Sequence, residues 1–111
     1  MNAPYTKAYQ TKHARIKPKP ARDRDYLNWF AQQPHRCLVC GTPDGIEGHH
    51  VKRDSSDQKD DHKMIPLCQE HHTGPMLSPH GTPRRWREEY SMEFQEQIAA
   101  EIYAEYCGEV M

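Results

Sequence analysis

No apolar run in the chain approaches the roughly 18 residues of a membrane span. The N-terminus carries basic residues but no apolar stretch of the secretory-signal kind, so we expect an intracellular protein with no membrane partner. Apolar residues are scarce: 35% of the 111, against 28% charged, which leaves so small a domain without a self-sufficient core. A metal staple or oligomerisation is therefore expected before any motif is considered. There are no internal repeats. Cysteine is limited to four, and three of these sit in C-x2-C and C-x2-H spacings rather than in a disulfide framework. Cys107 stands alone near the C-terminus and reads as a spare thiol in a reducing compartment.

Lysine and arginine are absent after Arg87, and residues 88–111 carry seven glutamates. The opposite end carries Lys7, Lys12, Arg15, Lys17, Lys19, Arg22 and Arg24 against a single acid, Asp23. The near-neutral total thus hides a basic head and an acidic tail. A basic arm is the usual electrostatic handle for nucleic acid, with a solvated tail as the plainer alternative. Residues 1–22 contain Pro4, Pro18 and Pro20 and no apolar period, which predicts a flexible basic arm ahead of one domain over 23–111.

Within that domain, Tyr26, Leu27 and Phe30 share one face of a helix over 23–33 that Pro34 ends. Residues 45–51 suit a short strand, 52–61 a polar loop, and Met64-Ile65-Pro66-Leu67 a second strand placed at a sheet edge by its proline. A helix beginning at Cys68 is stopped early by Gly74-Pro75. Another starts near Pro83, with Trp86 and Tyr90 one turn apart. Ser91 is the expected cap of a last helix, where Phe94, Ile98, Ile102 and Tyr106 recur at i+4 as a core stripe or a dimer face.

What the chain does have is ordered metal-ligand chemistry. Cys37-Leu-Val-Cys40 and Cys68-Gln-Glu-His71 are two half-sites whose two-residue gaps let both side chains of a tight turn meet one ion. Together they predict a structural zinc, with His72 in place of His71 as the open alternative for the fourth ligand. His49, His50 and His72 are then surplus. A chain that needs metal only to fold has no use for them, and a histidine near its ordinary pKa of about 6.5 is a good general base.

The series Cys37-x2-Cys40, His49-His50, Ile65-Pro66-Leu67-Cys68-x2-His71-His72, His80-Gly81 and Trp86 resembles the HNH (ββα-metal) endonucleases over about residues 37–98. It is most similar to the phage recombination-enhancement (Ref) type of RecA-dependent nuclease. The resemblance implies an α+β fold: a small zinc-stapled ββα-metal unit with flanking helices, in a phage or prophage protein of the bacterial cytoplasm. It implies that Cys37, Cys40, Cys68 and His71 hold structural zinc and that His50 is the general base. It also implies that His49 and His72 hold a catalytic Mg2+, Mn2+ or Zn2+. His80 stands eight residues beyond His72, further than in many members, and either reaches that metal across an inserted loop or contacts phosphate. Where many members have asparagine this chain has Lys63, which leaves Asp60, Asp61 or His62 to orient the base. DNA is the implied partner, with Lys52, Arg53, Arg84, Arg85 and Arg87 on its phosphates, and the RecA filament is a further one. The rival expectation is a non-catalytic zinc module that binds nucleic acid.

Overall fold

The computed structural model describes residues 20–53 and 57–110, and most of the expected basic arm lies outside the described residues. The chain forms helix α1 (Arg24–Gln32), strands β1 (Ile46–His50) and β2 (Met64–Cys68), then helices α2 (Gln69–Thr73), α3 (Pro83–Glu89) and α4 (Met92–Val110). It is a small α+β arrangement of one two-stranded sheet and four helices among the described residues. No helix among them is long and apolar enough to cross a membrane.

β1 and β2 are antiparallel, pairing Ile46 with Cys68 at one end and His50 with Met64 at the other. This register sets Glu47 and His49 on one face of β1, with Gly48 and His50 on the other. All five residues of β2 are buried, because both faces of that strand are covered. Ile65 and Leu67 join Cys37, Val51, Cys68, Trp86 and Ala99 in one apolar cluster, while Met64 joins Tyr26, Phe30 and Ile102 in the other. Ile98 of α4 packs against both clusters and ties them together.

Helix starts follow local chemistry. Asp23 caps α1 by accepting from the Tyr26 amide at 3.0 Å, and the Ser91 hydroxyl accepts from the Phe94 amide at 3.1 Å at the head of α4. Pro83 occupies the first turn of α3, where its missing N–H costs nothing. Gly74 closes α2 after five residues, its amide donating to the Glu70 carbonyl at 2.8 Å.

The last helix departs from expectation at the first position of its stripe. Phe94, predicted as the first member of the core stripe, is 41% exposed and lies beside Tyr90. Ile98, Ile102 and Tyr106 of the stripe do reach the core, and Gln95 and Ala99 are buried beside them. Gln95 is buried because its amide oxygen accepts from Trp86 Nε1 at 3.2 Å and its nitrogen donates to the Tyr90 carbonyl at 2.8 Å. Once both ends are satisfied, burial of the amide carries little penalty, and small Ala99 admits β2 closely. Ranking by hydropathy alone selects the wrong neighbour.

Ile65 is fully buried at the centre of the sheet. Ile65→Ala is therefore expected to destabilise the protein by about 2–5 kcal/mol, read from chemical denaturation with metal held constant. A loss below half a kilocalorie would mean that the sheet is not the core.

Candidate functional site

The two half-sites meet. The turn Cys37–Gly41 is closed by the Gly41 amide on the Cys37 carbonyl at 2.9 Å, and Gly41 takes the left-handed conformation (φ 76°) that this turn requires. The Leu38 amide donates to the Pro66 carbonyl at 3.0 Å, which pins the turn to the end of β2. Pro66 has no N–H to offer, but its carbonyl is the acceptor that places the knuckle. Cys37, Cys40, Cys68 and His71 then present one ligand atom each, all within 4.8 Å of one another.

The spacings suit an ion. Zinc–sulfur bonds of about 2.3 Å in a tetrahedron set sulfurs about 3.8 Å apart; Cys40 and Cys68 Sγ are 3.9 Å apart. His71 Nδ1 lies 3.3 Å from Cys68 Sγ and 3.8 Å from Cys37 Sγ. Burial opposes ionisation of Cys37, but the amides of Cys68, Cys40 and Val39 outweigh it and bring the thiol down to about 6, toward the thiolate that binds metal. Burial and the neighbouring sulfurs push Cys68 up. The cluster can thus hold a metal such as zinc, and the open choice of fourth ligand is resolved in favour of His71.

His72 points elsewhere. Its ring centroid lies 5.2 Å from that of His49 and 4.9 Å from that of His80, and His49 and His80 are 5.3 Å apart. One nitrogen from each of the three lies within 4.8 Å of the others, a second group that can hold an ion. His80 therefore joins His49 and His72 despite its eight-residue distance in sequence. The connecting loop explains this. Ser78 is fully buried, donates its hydroxyl to the Gly74 carbonyl at 2.7 Å and accepts from the Gly81 amide at 2.8 Å. A Cβ at Gly81 would run into the Gly74 carbonyl oxygen, so glycine allows the loop to fold tightly enough to return His80.

Burial, followed by the neighbouring His72 and His80, drives the His49 imidazole down to about 3. Burial also lowers His80, with His72, Lys52 and Lys59 contributing. Both rings are therefore neutral at neutral pH, which is the ligating form. Glu47 was absent from the sequence expectations. It accepts from His72 Nδ1 at 2.8 Å, which leaves Nε2 as that ring's ligand atom. The available signal was strand alternation, since a carboxylate two residues before His49 shares its face.

His50 stays out of both groups and pairs with Asp61, Nε2 to Oδ1, at 3.0 Å. An ionised carboxylate only accepts, so Nε2 carries the hydrogen and Nδ1 bears the free lone pair. Burial alone would raise Asp61, but the Asp23 amide on its other oxygen at 2.8 Å and the His50 ring more than offset it, and its pKa falls below the usual carboxylate range. Of the three residues considered in place of asparagine, Asp61 touches His50. His62 instead bonds Asp23 at 2.8 Å and stacks on Tyr103, and Asp60 accepts from the His62 amide. Lys63 extends toward Glu96 at 4.0 Å. Residues 20–22, assigned to the arm, include Ala21, whose carbonyl accepts from the Asp61 amide at 3.0 Å.

The basic residues divide. Lys52 and Arg87 border the cleft above the three histidines, as does Lys59, which the sequence had not singled out. Arg53 is paired with Glu96 at 3.2 Å, Arg84 lies 4.0 Å from Glu88 on the surface, and Arg85 is exposed on α3.

Two outcomes are expected. Glu47→Ala should weaken Mn2+ binding at the three histidines by about 10–100-fold in titration calorimetry while the Cys3His metal stays bound by elemental analysis. Chelation, or Cys68→Ser, should collapse the helical circular dichroism in one cooperative step, since a core this small folds with its metal; an unchanged spectrum after complete metal loss would refute that. No family model, curated protein or solved structure matches this chain, so its site is read from its own residues and geometry.

Proposed function

We propose that the chain is a metal-dependent DNA endonuclease of the HNH type, in which His50 is the general base and His49, His72 and His80 hold the catalytic ion. The observation that carries this reading is the sorting of adjacent residues into separate tasks. His71 joins the cysteines, His72 joins two other histidines, and His50, held by a carboxylate, lines the same cleft as those three histidines. A zinc module that only binds nucleic acid accounts for the first group and leaves the other two without use.

The three histidines fit a divalent ion by donor type and by their mutual approach within 4.8 Å. When bound, such an ion supplies Lewis-acid stabilisation of the charge that develops on a scissile phosphate. Neutral ligands suit that task because they leave the ion its charge. The chain's own groups do the rest. Asp61 fixes the His50 ring and its tautomer, so Nδ1 accepts the proton of an attacking water. The Asp61 carboxylate stays hydrogen-bonded to the ring while that proton is taken up. Lys52, Lys59 and Arg87 supply positive charge for flanking phosphates. Dependence on a RecA filament belongs to the same proposal through the family resemblance alone.

Nicking of supercoiled plasmid with Mg2+, Mn2+ or Zn2+ tests the reading. His50→Ala should lower the rate by about 100–10,000-fold with DNA binding and zinc content retained. Asp61→Ala should lower kcat with little change in KM, whereas Asp61→Asn, which can still accept a hydrogen bond, should recover part of the loss. Absence of nicking by the wild-type protein with every ion, at full occupancy of the three-histidine group, would rule the proposal out.

A further inference from the structure

The cleft over the three histidines is larger than an ion and a water require. Its volume is about 560 Å³, within the about 300–1,000 Å³ typical of sites that enclose a small organic molecule. Its walls are of two kinds. Lys52, Lys59 and Arg87 border it with positive charge, and none of the three takes part in the ion pairs formed among the described residues. Pro79, Pro83 and Met92 border it with apolar surface.

That second wall is the informative one. Grip on the backbone of an intact duplex needs cations and hydrogen-bond donors, because the bases remain stacked away from the phosphate. An apolar surface beside a phosphate-binding floor suits a nucleotide whose base has left the stack and must be covered. The wall is also preformed. Trp86 also borders the cleft and is itself fixed, 3% exposed and hydrogen-bonded through Nε1 to Gln95. Pro83 is fixed in the first turn of α3, and Pro79 rides on the loop held by Ser78. A rigid wall carries no ordering cost when a ligand arrives.

We infer that this cleft receives a single unstacked nucleotide, and that the protein cuts unpaired DNA (single strands or unpaired stretches within a duplex) in preference to intact duplex. The inference rests on the nuclease reading above and narrows its substrate. The three histidines and cations take the phosphate, while Pro79, Pro83 and Met92 cover the sugar and base.

The test presents one labelled oligonucleotide in three forms: single-stranded, fully paired, and paired with a short central bulge. Initial rates with Mn2+ should be at least about tenfold higher for the single strand and the bulge than for the duplex, since extruding a paired base costs a few kcal/mol. Fluorescence anisotropy with His50→Ala protein, which binds without cutting, should show the same order of affinity. Met92→Asp lies at the first turn of α4, where a carboxylate is tolerated by the helix. It should pull the single-strand to duplex ratio toward one in both measurements. Equal rates on paired and unpaired DNA would overturn the inference and leave the nuclease reading standing. If none of the three forms is cut, the nuclease reading falls, and the anisotropy still decides whether the cleft prefers unpaired strands; equal binding overturns that as well.

Discussion

The placement of the three-histidine group hangs on the closure of the Cys37–Cys40 turn against Cys68 and His71. Those four residues come from a loop, a strand end and a five-residue helix, none of which is stable alone. Their convergence fixes where β2 ends and α2 begins. It thereby sets the direction of His72, the next residue, toward β1. A helix of five residues has too few internal hydrogen bonds to orient a side chain by itself. Anchored at both Cys68 and His71, it has no other course available. The apolar clusters on either side of the sheet support this arrangement.

The same economy governs the histidines. His49 and His80 are held neutral by burial and by the neighbouring His72, whereas His50, one residue from His49, is paired with the Asp61 carboxylate. Strand alternation makes the difference. Neighbouring residues on β1 turn their rings to different partners, so that His49 meets His72 and His80 and His50 meets Asp61, although both border one cleft. The carboxylates match this division. Glu47 serves the face of His49 and His72, and Asp61 serves His50.

Much of this was legible in the sequence. Half-site spacing announced the Cys3His group, and the strand–strand–helix order followed from short apolar runs, a capping serine and a Gly-Pro stop. What escaped had physical reasons. Burial of Gln95 depends on two partners, the Trp86 ring and the Tyr90 carbonyl, whose positions no local pattern encodes. His80 was among the expected ligands, but the loop that returns it, folded back upon Gly74 by Ser78 and Gly81, is a contact that sequence distance conceals. The choice of Asp61 over Asp60 and His62 is set by α1. The Asp23 amide draws the second oxygen of Asp61, and the Asp23 carboxylate claims His62.

His71 and His72 are consecutive residues on one short helix, yet they serve different metal groups. Their rigid connection makes the two occupancies thermodynamically linked. An ion in the first group holds α2 in the orientation that the second needs, and so raises affinity there. By reciprocity, an ion at the three histidines raises the affinity of the cysteine-rich group by the same factor. Any displacement of α2 that opens one of these groups therefore opens the other as well.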